Sequence, residues 1–115
     1  MNFETKHLDD FTIFQLKEKK LDANISGLVK AEVTLLVKGE GDTNLIIDLN
    51  DVEACDSSGL SALLVANRLI NAVGGKLAII TSSEKILSLI RITQLHRVLF
   101  ICADVDAAIK EFNNP

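Results

Sequence analysis

Three short aliphatic runs, NLIIDL (44–49), KLAIIT (76–81) and VLFIC (98–102), are separated by stretches whose apolar residues recur every three or four positions. This alternation constrains the fold more than any other feature. A short apolar run between turn residues suits a buried strand. A helical stretch between two such strands joins them in parallel, with a right-handed crossover. Ile25, Leu28, Val29, Leu35 and Leu36 predict a helix over 24–38, stopped by Gly39, Gly41 and Asp42. A second helix is expected over 58–73, ended by Gly74 and Gly75. Thr81 and Glu84 suit a capping box for a third, over 84–91. Asp104 is placed to cap a fourth, in which Val105, Ala108, Ile109 and Phe112 share one face. FTIFQL (11–16) reads as a strand, and an earlier one lies near 3–7, with LDD turning between them. VEAC (52–55) extends or bends the 44–49 strand. The expected fold is α/β: one small domain over 1–115, with about four or five strands in a mainly parallel sheet and four helices.

Composition narrows the function. Twelve basic residues against 16 acidic ones leave no basic stripe for nucleic acid. The one basic knot, KEKK (17–20), is interrupted by Glu18 and reads as solvated. No apolar run approaches membrane-spanning length, and MNFETKHLDD lacks the basic start and apolar stretch of a signal peptide, so a cytoplasmic protein without membrane insertion is expected. Cys55 and Cys102 lie beside apolar runs and read as small buried hydrophobes.

Familiar catalytic patterns are missing. In VGGKL, Lys76 opens a strand where a phosphate-binding loop needs GK[ST] opening a helix. DSSG (56–59) lacks the first glycine of the G-x-S-x-G nucleophile elbow, and His7 and His96 have no motif linking them to it. Two distant cysteines and two unrelated histidines give no metal-ligand spacing, and Asp48, Asp51 and Asp56 read as loop carboxylates. Asp9 and Asp10 precede the strand after which a phosphoryl-acceptor receiver domain would carry its acidic pair. No cofactor, metal or enzymatic activity is expected.

What remains is the stretch VEACDSSGLSALL. At least one of Asp56, Ser57 and Ser58 should accept a hydrogen bond from the first helical amides. Two hydroxyls and a carboxylate exceed what a cap needs, and a position after a buried strand puts a hydroxyl on an exposed rim. A phosphate there meets the positive end of the helix dipole and adds a charge of about −1.5 to −2 beside Asp56. The helix would persist while its outer surface became repulsive to a partner.

These residues resemble the STAS domain of anti-sigma-factor antagonists. LIIDLNDVEACDSSGLSALL resembles that family's hallmark, an aliphatic strand with an acid followed by D-S-[ST]-G-L at a helix start; GGKLAII, RITQLHRVL and DVDAAIKEF resemble its later segments. The resemblance makes Ser57 the phosphorylated residue, with Asp56 shaping access to it and Ser58 supporting the cap. It also places Asp22, in KKLD, on the partner-facing surface. Gly59 and Leu60 complete the motif, and Leu60 with Ser61 is expected in the docking surface. Lys19 and Gln94 stand where the family usually has glycine.

The resemblance implies a binding switch. The unphosphorylated form would hold an anti-sigma factor serine kinase of the histidine-kinase-like ATPase fold and so free the sigma factor. Phosphorylation would end the interaction, and a metal-dependent serine phosphatase would reset it. ATP and magnesium belong to those partners. The alternatives are a STAS switch in a pathway without a sigma factor, and a passive STAS subunit of a transporter complex.

Overall fold

The computed structural model describes residues 1–114; Pro115, the last residue of the expected 1–115 unit, lies outside them. Five strands, β1 (Phe3–His7), β2 (Thr12–Leu16), β4 (Asn44–Asp48), β6 (Lys76–Ile80) and β7 (Phe100–Cys102), form one sheet in the order β1-β2-β4-β6-β7. Only β1 runs antiparallel to its neighbour, as a hairpin with β2. The other pairs are parallel, with Ile13 opposite Ile46 and Ile47 opposite Ile79. Two further strands of two residues each, β3 (Lys20–Leu21) and β5 (Ala54–Cys55), pair in parallel outside this sheet.

The helices are α1 (Ser26–Thr34), α2 (Ser57–Ala72), α3 (Glu84–Ile92) and α4 (Val105–Phe112). From β2 to β7 the chain advances in one direction across the sheet. Crossovers of one hand then put α1, α2 and α3 on the same face. Leu45, Ile47, Leu77 and Ile79 meet Val29, Val33, Leu63, Ala66, Ile70, Ile86 and Ile90 there. The alternate residues Ile46, Ala78 and Ile80 face Val105, Ala108 and Phe112 of α4 on the other side. Burial on both faces explains why the central strands read as unbroken apolar runs.

Several boundaries differ from the sequence reading. The helix expected over 24–38 ends at Thr34 and continues as a π-helical turn, Leu35–Gly39, in which the Glu40 amide donates to the Leu35 carbonyl at 2.9 Å. Leu36 and Val37 stay buried through it, so the apolar pattern did not register the change. VEAC does not extend β4; its last two residues leave the main sheet as β5. The cap of α3 is Ser83, whose hydroxyl accepts from the Ile86 amide at 3.3 Å, whereas Thr81 accepts from the Ser83 amide at 3.1 Å. The expected strand over 98–102 begins only at Phe100, because Leu95–Arg97 form a 3₁₀ turn that leaves Val98 exposed. Gln94 enters that turn at φ 61°, the one non-glycine residue among those described with positive φ. Lys19, by contrast, has no positive φ, and its carbonyl accepts from the amides of Glu53 and Ala54.

Candidate partner-binding site

The first turns of α2, α3 and α4 all follow the carboxyl ends of parallel strands, so their amide-rich ends gather along one rim of the sheet. At α2 the cap is Asp56: its Oδ1 accepts from the Gly59 amide at 2.9 Å, and its backbone is extended. Ser57 is the first residue of the helix and is exposed. Its hydroxyl has no hydrogen-bond partner among the described residues. Ser58 is half-buried beside it.

The mini-sheet brings Asp22 to the same place. Leu21 pairs with Cys55, and the Asp56 amide donates to the Leu21 carbonyl at 3.3 Å. The next residue after each strand, Asp22 and Asp56, therefore leaves the pair at one end. Asp22 is itself held in a turn: its Oδ1 accepts from the Asn24 amide at 3.0 Å, and its carbonyl accepts from the amides of Ile25 and Ser26.

Gly59 is what lets α2 approach. A Cβ there would stand 2.3 Å from the Leu21 carbonyl oxygen and 2.5 Å from the Cys55 sulfur. Gly59 is thus a buried spacer that brings the Ser57 turn against the Asp22 turn. The sequence did contain this signal, since a glycine inside a helix marks a close approach when it does not end the helix. Leu60 corrects the expected docking surface: it is 5% exposed and points into the core with Leu21 and Leu63. Its neighbours Asp56 and Ser57 sit on the outside of the same turn, and the helical repeat turns Leu60 inward. Ser61 is half-buried at the helix edge. The structure therefore gathers Asp22, Asp56, Ser57 and Ser58 on one surface, with Ser61 beside it and Gly59 and Leu60 beneath it.

Two neighbours were missed. The Cys55 thiol lies against Gly59 and donates to the Asp56 carbonyl at 3.3 Å. Burial, with a smaller contribution from the Asp56 charge, pushes its pKa up to about 12. It is a neutral packing group at ordinary pH. Ser83 donates its hydroxyl to the Glu53 carbonyl at 2.8 Å, which ties the start of α3 to the segment leading into β5.

A family model of the STAS domain matches residues 2–108. The chain belongs to the STAS domain family. A relative of this STAS domain from Thermotoga neapolitana, named as the homologue of a candidate anti-sigma factor antagonist, is 27% identical over 109 residues, which cover 95% of this chain and 96% of the relative. The crystal structure of a candidate anti-sigma factor antagonist from Thermotoga maritima superposes with a TM-score of 0.86 at 27% identity, covering 97% of this chain and 95% of that one. The antagonist SpoIIAA in its unphosphorylated form gives a TM-score of 0.75 at 17% identity, covering 99% of this STAS domain and all of that chain. Bacillus SpoIIAA in its phosphorylated form gives 0.71, also at 17% identity, covering 95% of this STAS domain and 98% of that chain. At that identity the SpoIIAA likeness is one of fold. Among the described residues no helix is long and apolar enough to cross a membrane.

Proposed function

We propose that this STAS domain is a phosphorylation-controlled protein-binding switch. Unphosphorylated, it binds an anti-sigma factor serine kinase of the histidine-kinase-like ATPase fold. Phosphorylation of Ser57 ends the interaction, and a metal-dependent serine phosphatase restores it. The observation that carries this reading is a division of roles at the start of α2. Asp56 satisfies the Gly59 amide, and the exposed Ser57 hydroxyl is left without a structural partner among the described residues. A capping serine would be engaged by its helix, whereas this one is free to be a substrate. The names of the Thermotoga relatives, and the existence of SpoIIAA in two phosphorylation states, support the same reading.

The physics suffices. A phosphoserine at the first helical position sits near amides with no intrahelical partner, so the helix tolerates the charge. A partner already docked over Asp22 and Asp56 would meet about −1.5 to −2 of added charge. Only about 1.4 kcal/mol is needed for each tenfold loss of affinity.

The test pairs Ser57→Ala and Ser57→Asp as baits for cell proteins, with enzymatically phosphorylated wild type as the control. A kinase-fold protein held by the alanine form and lost by the aspartate and phosphorylated forms is the expected result. Incubated with ATP, that protein should phosphorylate wild type at Ser57, as mapped by mass spectrometry. Identical catches from all forms would reduce Asp56–Ser57–Ser58 to a helix cap and overturn the switch.

A further inference from the structure

The opposite end of the sheet holds a second convergence of side chains. His7 ends β1 beside the start of β2, and Glu40 and Asp42 follow the π-helical turn. His7 Nε2 lies 3.4 Å from Glu40 Oε2, and His7 Nδ1 lies 3.6 Å from Asp42 Oδ2. The Thr12 hydroxyl stands 3.3 Å from the same Nδ1. One donor atom from each of His7, Glu40 and Asp42 falls within 4.8 Å of the others.

Asp42 Oδ2 is buried and has no hydrogen-bond partner among the described residues. The imidazole, at 3.6 Å, is too distant to serve as one. A carboxylate oxygen hidden from water without a donor is costly, and a cation removes that cost. His7 and Glu40 are about half exposed, at 49% and 55%, so the group opens to solvent and Glu40 is free to turn.

We propose that His7, Glu40 and Asp42 form a binding site for a divalent transition cation, with zinc the ion that fits. One imidazole nitrogen with two carboxylate oxygens is a donor set for zinc and its first-row neighbours, whereas magnesium and calcium take oxygen alone. Ligands about 2.1 Å from a tetrahedral zinc stand about 3.4 Å from one another; His7 Nδ1 and Asp42 Oδ2, at 3.6 Å, are close to that separation, and Glu40, which faces Nε2, turns to complete the set. His7 binds through one ring nitrogen. Nδ1, which faces the unpartnered Asp42 oxygen, is the fitting one, and Glu40 swings to it. A hollow of about 140 Å³ borders Asp42 and Thr12, and a second of about 360 Å³ borders His7 and Glu40, so water reaches the group from both sides. Wide spacing along the chain hides the set from motif reading, and the hairpin and the turn after α1 bring it together. An ion there would staple these two segments at the end remote from Ser57.

The experiment is calorimetric titration of tag-free protein with zinc chloride, and separately with magnesium chloride. Wild type, His7→Ala, Asp42→Asn and His96→Ala are compared, with circular dichroism checking each fold. Asp42→Asn is isosteric and keeps the test valid should His7→Ala loosen the hairpin. The expected result is one zinc per chain in wild type and His96→Ala. Affinity should fall by more than about tenfold in His7→Ala and Asp42→Asn, and magnesium should bind more weakly than zinc. No zinc binding, zinc binding unchanged in both site variants, or equal binding of magnesium would overturn the proposal; in the last two cases the ion is held elsewhere or without the imidazole.

Discussion

At the scale of single residues, the rim around Ser57 works because neighbouring side chains divide the tasks. Asp56 caps, Ser57 stands free and Gly59 makes room. Cys55 lies beneath them as a thiol that the fold keeps protonated. Its pKa rises from an ordinary 9.0 to about 12 on folding, so the folded state holds the proton more tightly than the unfolded chain. That contribution to stability is complete below pH 9.0 and is lost as pH rises toward 12. Burial raises the Cys102 thiol too, with the same sign. Urea denaturation from about pH 8 to about pH 10.5 should therefore show wild type losing more stability than Cys55→Ala over the same interval. Equal losses would mean that Cys55 is not held neutral by the fold. Gln94 is the opposite case, a residue at odds with its backbone. It occupies a left-handed position usually given to glycine, and the strain is carried by the turn that delivers the chain to β7.

At the scale of elements, legibility followed periodicity. β4 and β6 were readable because both faces are buried, and α2 and α4 because Asp56 and Asp104 cap them. The mini-sheet was not, since two-residue strands have no period to detect and their pairing joins segments far apart in the chain. Without it, Asp22 and Ser57 could be linked only through the family resemblance. Leu60 was misplaced because α2 is apolar around more than one face, which leaves the inward direction undefined until the sheet is in place. Gly59 carries the clearest test at this scale. A methyl group 2.3 Å from the Leu21 carbonyl must push α2 off β3, since backbone cannot yield as a flexible side chain does. Gly59→Ala should cost about 1–3 kcal/mol in denaturant unfolding. It should also weaken partner binding beyond any effect of Ala62→Gly, a substitution of matching chemistry inside the same helix. Unchanged stability would mean that the helix shifts freely and the spacing of the rim is not fixed by this contact.

For the whole molecule, the sheet separates two ends with different chemistry. The carboxyl ends of the parallel strands lead to helix starts and the Ser57 rim; the opposite end gathers His7, Glu40 and Asp42. The central strands β4 and β6 bury both faces and join the two layers of the core. β3 and β5 stand outside the main ladder, held by a few hydrogen bonds, the Gly59 contact and the buried Leu21 side chain. The consequence is one of time. The two turns carrying Asp22 and Ser57 contribute no rung to the main ladder, so they should open together ahead of the sheet, and the surface a partner reads should keep its own clock. Deuterium should enter the amides of Ala54 and Asp56 at matching rates, far ahead of Ile46 and Ile79, whose release waits for the entire chain to come apart.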